Sequence, residues 1–256
     1  AGRMTTHGPT AGGGTGAAAA TPDWERVRAD FPLLQRQVHG KPLVYLDSAN
    51  TAQKPRAVIE AVDDFYRRHN ANVSRAVHQL GSEATEAYEG ARRKLAAFLN
   101  VRADELVLCS GTTFALNLVA YSWALPRLKA GDAILLTRME HHANIVPWQL
   151  VAQRTGATLR VAELRPDGSL DLEALWAAMT PEVKLLGLAH VSNVLGTVNP
   201  VAEICRQARA RGITTVIDGS QAVPHMPVDV AALGCDFYAF TGHKLCGPTG
   251  TGGLWA

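Results

Sequence analysis

Residues 106–121, LVLCSGTTFALNLVAY, open with four apolar side chains, break at Ser110-Gly111 and resume in an apolar run long enough for a helix. A short apolar run closed by a turn signal reads as a buried strand. The run after it reads as a helix that Thr112 and Thr113 open. The unit repeats: further apolar runs lie at 133–137, 159–164, 185–189, 215–217 and 237–240, with helical stretches near 113–123, 144–155, 171–178 and 201–211. Strands alternating with helices need right-handed crossovers, which predicts an α/β fold with a mostly parallel sheet and helices on both faces. Ligands of such sheets sit outside the carboxyl ends of the strands, so the residues after each run are the candidates for chemistry.

Toward the N-terminus, residues 1–21 are rich in Gly, Ala and Thr and carry almost no large apolar side chains, which predicts a flexible tail. Residues 22–50 form an N-terminal segment. Thr21-Pro22-Asp23 reads as a helix start, with the threonine as cap and the proline in first position. A short strand at 43–46 and a polar loop at 47–50 follow. From Thr51 to Ala256 the pattern is that of one large domain. Val58, Val62 and Phe65 share one helical face, and Tyr88, Ala91, Leu95 and Phe98 another. The polar stretch 70–79 is either a ligand-facing loop, with Arg75 its best cation, or a plain surface loop.

A net charge of +2 and the lack of a basic run interleaved with aromatics argue against nucleic acid or an anionic membrane as partner. No apolar run approaches the roughly 20 residues of a membrane span, so a cytoplasmic protein is expected. Cys109, Cys205, Cys235 and Cys246 form no CxxC pair, which argues against a disulfide framework and a structural zinc. The first methionine is Met4 and the chain stops just after Gly253-Leu254-Trp255, in mid-strand, which reads as a partial chain.

Each strand end has a bland and a chemical reading. Gly111-Thr112-Thr113 is an ordinary threonine cap or an anion cradle suited to phosphate. His141 and His142 cannot both face one metal from adjacent positions, and no third ligand follows, so no metal site is expected. His141 is then a hydrogen-bonded loop residue or a ring stacked on a planar ligand. Asn193 stabilises a turn or donates to a ring oxygen. Asp218 ends an apolar run, where a carboxylate needs a cation or donors; a GxxxxGK[ST] loop to make it a nucleotide hydrolase's metal acid is absent, and it can equally hold a protonated ring nitrogen. Lys244, after the run 237–240, is a surface charge or a desolvated amine fit to form a Schiff base. The glycine-rich stretch 247–253 has no GxGxxG and no helix after it, which excludes a dinucleotide site there. A phosphate cradle, a stacking imidazole, a carboxylate for a pyridinium and a Schiff-base lysine are together the requirements of pyridoxal 5'-phosphate.

GTT at 111–113, MEHHANIVPW at 139–148, HVSNVLGT at 190–197, DGSQAVPH at 218–225 and CDFYAFTGHKLCGPTG at 235–250 closely resemble the class V aminotransferase-like enzymes, in particular the SufS-type cysteine desulfurase and selenocysteine lyase branch. RADFPLL at 28–34 and YLDSAN at 45–50 extend the likeness. The resemblance implies the large domain of a fold type I pyridoxal-phosphate enzyme over 51–256. It also implies that Lys244 holds the cofactor and shuttles the substrate's α-proton, Asp218 pairs with the pyridinium nitrogen and His141 stacks on the ring. Gln221 would meet the phenolic oxygen beside Asn193, and Thr112, Thr113, Thr241 and His243 would surround the phosphate. The implied reaction turns L-cysteine, or L-selenocysteine, into L-alanine, with sulfur passing through an enzyme persulfide to an acceptor protein for iron–sulfur cluster assembly, in a homodimer.

Desulfurases of this kind carry their nucleophilic cysteine and a substrate-binding arginine in a C-terminal region that this chain does not reach, so the fragment is expected to be inactive. Cys246 stands where SufS-like sequences typically have tyrosine and does not replace that nucleophile. Two rivals remain: another class V reaction, such as transamination or selenocysteine lysis, and a non-catalytic protein that keeps the cofactor site.

Overall fold

The computed structural model describes residues 22–75 and 77–256; the expected flexible tail, 1–21, lies outside the described residues. Helix α1 (Trp24–Ala29) is capped by Asp23, whose carboxylate accepts from the Arg26 N–H at 3.1 Å. Pro22 therefore stands outside the helix, one correction to the expected start. A second concerns 43–46, which is not a strand. The pairing is instead a two-residue hairpin just before it, β1 (Gln37–Val38) against β2 (Lys41–Pro42). His39 and Gly40 turn it with φ of 53° and 74°, the left-handed pair that such a tight turn demands. Val44 and Leu46 are 74% and 92% exposed, and the Leu43 carbonyl is taken by the Arg28 guanidinium at 2.7 Å. Among the described residues this apolar run has no partner strand, and without one it cannot pair.

Helix α2 (Arg56–Asp64) runs into a wider π turn at Phe65–His69, and α3 (Gln79–Phe98) is the longest helix described. The face expected to be buried on α3 is rotated. Phe98 is 53% exposed, while Ala84, Ala96 and, just beyond the helix, Leu99 are buried. Small side chains let α3 lie close to the sheet, and the bulkier stripe is left outside.

The main sheet holds β3 (Leu106–Cys109), β4 (Ala133–Thr137), β5 (Thr158–Ala162), β6 (Val183–Ala189), β7 (Thr214–Asp218), β8 (Phe237–Thr241) and β9 (Gly252–Trp255), in the order β3-β9-β8-β7-β6-β4-β5. All pairs are parallel except those of β9, which runs antiparallel to both β3 and β8. Helices α4 (Thr112–Val119), α5 (Val146–Thr155), α6 (Leu172–Ala178), α7 (Val201–Arg209) and the short α8 (Ala222–His225) and α9 (Val230–Leu233) connect the strands.

Alternate residues of each strand enter two separate cores. Leu135, Leu186, Ile217 and Phe240 pack on one face with Leu175 of α6 and Ile204 of α7; Ile134, Leu136, Leu185, Val216 and Ala239 pack on the other with Leu116 of α4 and Trp148 of α5. This is the period-two signature of a sheet covered on both sides, and it accounts for strands that read as unbroken apolar runs.

Candidate active site

Strands β4, β6, β7 and β8 end on one side of the sheet, where α4 also begins. A cavity of about 330 Å³ lies there, within the range of small-molecule sites. It is lined by all nine residues singled out in the sequence: Thr112, Thr113, His141, Asn193, Asp218, Gln221, Thr241, His243 and Lys244. Asn50, Ser110, Phe114 and Ser220 line it too and were not singled out. Asn50 arrives from far upstream, which no local pattern announces, and Ser220 passes for a turn residue.

Lys244 closes a single 3₁₀ turn, Gly242–Lys244, directly after β8 and is half-buried. Burial holds its ammonium below the usual lysine range, against the upward pull of the Asp218 carboxylate, so its amine is neutral more often than a surface lysine's. The turn is clamped from below. The Gly242 N–H donates to the Thr251 carbonyl at 2.7 Å, and a Cβ at Gly242 would lie 2.2 Å from Thr251 Oγ1, so only glycine fits. The His243 carbonyl accepts from the Ala52 N–H at 3.0 Å and from Lys54 Nζ at 2.9 Å. Burial, then the charges of Lys244 and Lys54, keep the His243 imidazole below its ordinary range.

Asp218, the buried last residue of β7, accepts at Oδ1 from the Ser220 N–H at 2.9 Å. Ser220 Oγ pairs with Thr112 Oγ1 at 2.7 Å, linking the acid to the start of α4. Oδ2 of Asp218 has no hydrogen-bond partner among the described residues, which leaves acceptor capacity at the cleft. Gln221 Nε2 donates one hydrogen to the Ala49 carbonyl at 2.7 Å and keeps a second. Gly111 precedes α4 with φ +139°, and a Cβ there would lie 3.1 Å from Thr241 Oγ1. Without that Cβ, the unpaired N–H groups of the first helical turn and the hydroxyls of Thr113 and Thr241 surround open space suited to an anion.

His141 follows β4. Its Nδ1 accepts from the Ala143 N–H at 3.1 Å, which fixes both the ring's orientation and which nitrogen is free. No described residue of the stretch 70–78 lines this cleft, Arg75 included. Ser74 and Arg75 take left-handed φ of 66° and 57°, and the Ser74 N–H donates to Thr85 Oγ1 at 2.9 Å, which ties the stretch to α3. Among the described residues no three His, Cys, Asp or Glu side chains gather as metal ligands, and no helix is long and apolar enough to cross a membrane.

Behind Asp218 sits a pair that the sequence did not announce. The His190 ring Nδ1 lies 3.0 Å from the Tyr238 hydroxyl, and both residues are buried. Burial pushes the His190 pKa down to about 4, so the native state holds fewer protons than the unfolded chain between pH 4 and the free-imidazole value of 6.5. This contribution is complete above pH 6.5 and is lost as pH falls through 6.5 toward 4. The stability advantage of the unmutated protein over His190→Gln should therefore shrink by roughly 3 kcal/mol between pH 7 and pH 4 in urea melts. An advantage that stays constant with pH would refute the assignment.

A mostly parallel sheet whose strand ends gather a half-buried amine, a buried carboxylate, an imidazole and a helix start defines a fold type I scaffold. The comparisons agree. Residues 44–256 match the aminotransferase class-V family, and the chain belongs to that family. It is 73% identical over 243 residues to a probable cysteine desulfurase of Xylella fastidiosa, covering 94% of this chain and 58% of that protein. The crystal structure of the cysteine desulfurase CsdA from Escherichia coli, in its S-sulfonic acid form, superposes with a TM-score of 0.83 at 42% identity, over 92% of this chain and 58% of that one. The apo cysteine desulfurase of Thermococcus onnurineus superposes with a TM-score of 0.86 at 38% identity, over 93% and 58%. The chain thus spans a little over half the length of these relatives.

Proposed function

We propose that this chain is the cofactor-binding part of a pyridoxal 5'-phosphate-dependent cysteine desulfurase, with the large domain beginning at Thr51 and residues 22–50 reaching the cleft through Asn50. One observation carries the reading: a half-buried Lys244, a buried Asp218 and a tautomer-fixed His141 share one cavity with the start of α4. The names of the relatives support the reaction class. The residues fit the cofactor, since an anion space, a carboxylate with a free lone pair and an amine line one cavity.

When bound, the cofactor supplies an aldehyde carbon and an electron-withdrawing pyridinium ring. Lys244 Nζ is the covalent anchor and then takes and returns a proton at the substrate's α-carbon. Asp218 Oδ2 keeps the ring nitrogen protonated, because a buried carboxylate with a single protein donor gains most from a cationic partner. His141 covers one face of the ring and excludes water there. Gln221 turns its second amide hydrogen to the phenolic oxygen, with Asn193 beside it. The N–H groups of the first α4 turn, Thr113, Thr241 and His243 hold the phosphate. Thr112 acts mainly through its backbone, because its hydroxyl is engaged by Ser220.

In the whole protein the reaction takes L-cysteine to L-alanine, moves the sulfur to an enzyme cysteine as a persulfide, and passes it to an acceptor protein for iron–sulfur cluster assembly, in a cytoplasmic homodimer. None of Cys109, Cys205, Cys235 and Cys246 lines the cleft. Burial pushes the Cys205 thiol up to about 11 and raises Cys235 as well, which makes both inert. The test is direct. With pyridoxal 5'-phosphate the protein develops a visible absorption band, and borohydride followed by peptide mapping finds the adduct on Lys244. An adduct spread over surface lysines, or none, would sink the proposal.

A further inference from the structure

Glu140, buried between β4 and β6, belongs to none of the groups assigned above. Its Oε1 accepts from Thr137 Oγ1 at 2.5 Å and from the Ala189 N–H at 3.0 Å, and its Oε2 accepts from Asn144 Nδ2 at 2.6 Å. Asn144 Oδ1 in turn accepts from the Trp148 indole N–H at 2.8 Å. Every hydrogen in this chain points toward the carboxylate: Trp148 donates to Asn144, and Asn144 donates to Glu140. No cation meets it. Burial pushes its pKa up to about 7 against the pull of those donors, with the Asp218 charge adding to the rise.

The geometry gives such a costly group one evident task. Residues 140 and 144 flank the His141-His142-Ala143 turn, and their side chains close it like a clasp. Inside the clasp the Ala143 N–H holds His141 Nδ1, and the Asn144 N–H donates to the His141 carbonyl at 2.7 Å. The other arm of Glu140 grips Ala189, whose register partner on β7 is Asp218. Gly187 leaves room for the arrangement: a Cβ there would lie 2.7 Å from Leu136 Cδ2, 3.2 Å from Asn144 Oδ1 and 3.3 Å from Trp148 Nε1.

We propose that Glu140 is a positioning residue, a carboxylate clasp that locks the His141 turn onto the strand beside Asp218 and so fixes the imidazole against the cofactor. The cofactor end of this statement rests on the function proposed above; the clasp itself does not.

Glu140→Gln separates the two. Gln keeps an acceptor for Thr137 and Ala189, but its Nε2 hydrogens face those of Asn144, and turning Asn144 over would set its amide hydrogens against the Trp148 N–H. In the full chain without cofactor, at a pH where imidazoles are neutral, hydrogen exchange of the Ala143 and Asn144 amides should speed up about 10-fold while the β4 amides keep their protection. With cofactor, the dissociation constant for pyridoxal 5'-phosphate should rise about 10-fold, and the bound absorption band should shift. Unchanged exchange at Ala143 and Asn144, or loss of protection across β4 as well, overturns the clasp. Faster exchange at those amides with unchanged cofactor affinity overturns its link to the cofactor. Failure of the parent protein to bind pyridoxal 5'-phosphate would instead refute the proposed function. If Glu140→Gln does not fold, Thr137→Val removes one donor at nearly constant shape and should move the same two amides about 3-fold in the same direction; no movement there overturns the clasp equally.

Discussion

Lys244→Ala should abolish the borohydride-stable adduct, since the proposed covalent anchor is lost. The fold should be untouched. Lys244 belongs to neither core, its amine makes no hydrogen bond among the described residues, and it carries a partly desolvated charge. Stability should therefore stay within about 1 kcal/mol of the parent in urea melts. Asp218, Gln221 and the α4 start remain, so cofactor should still bind, now removable by dialysis. A variant that keeps the same visible band and adduct would show that another amine holds the cofactor.

Gly219→Ala should have the largest effect on stability, at least about 3 kcal/mol, beyond ordinary overpacking. A Cβ at residue 219 would lie 2.2 Å from Cε1 and 2.4 Å from Oη of Tyr238. The ring cannot step aside, because Tyr238 is fully buried in the core and its hydroxyl is engaged by His190. The strain would reach Asp218, the preceding residue, whose carboxylate is held through the Ser220 N–H. Removing the obstacle should recover part of the loss: Gly219→Ala with Tyr238→Leu should be less destabilised than the two single changes predict together. A single variant within about 1 kcal/mol of the parent would refute the packing argument.

Most of the sheet was legible because it is buried on both sides. A strand such as 133–137 is apolar at every position but its last, so its bounds show in the sequence and coincide with those observed. Charged and hydroxyl residues placed where such runs stop are conspicuous for the same reason, and Asp218 and Lys244 stand out. What was not legible depends on partners distant in the chain. The run 43–46 looks like a strand until no neighbour is found for it. The α3 face was misjudged because bulky Tyr88 and Phe98 outweigh Ala84 and Ala96 in any hydrophobic pattern, whereas close approach to the sheet favours the alanines. Glu140 could be read only with Ala189 and Asn144 in view, since a glutamate beside two histidines is ordinary in a loop.

Strand β9 has a consequence for how the site comes into being. Gly252 pairs with Cys109 on one side and Thr241 on the other, and a Cβ on it would lie 2.5 Å from both the Gly111 Cα and the Phe240 carbonyl. It therefore sets the spacing between the anion end of the cleft and the lysine end. β3 and β8, far apart in sequence, do not pair with each other and are bridged by β9. Closure of so long a loop is a slow, late event in folding. The cleft is thus among the later parts of the fold to form, since the start of α4 after β3 and the Lys244 turn after β8 come into register through β9.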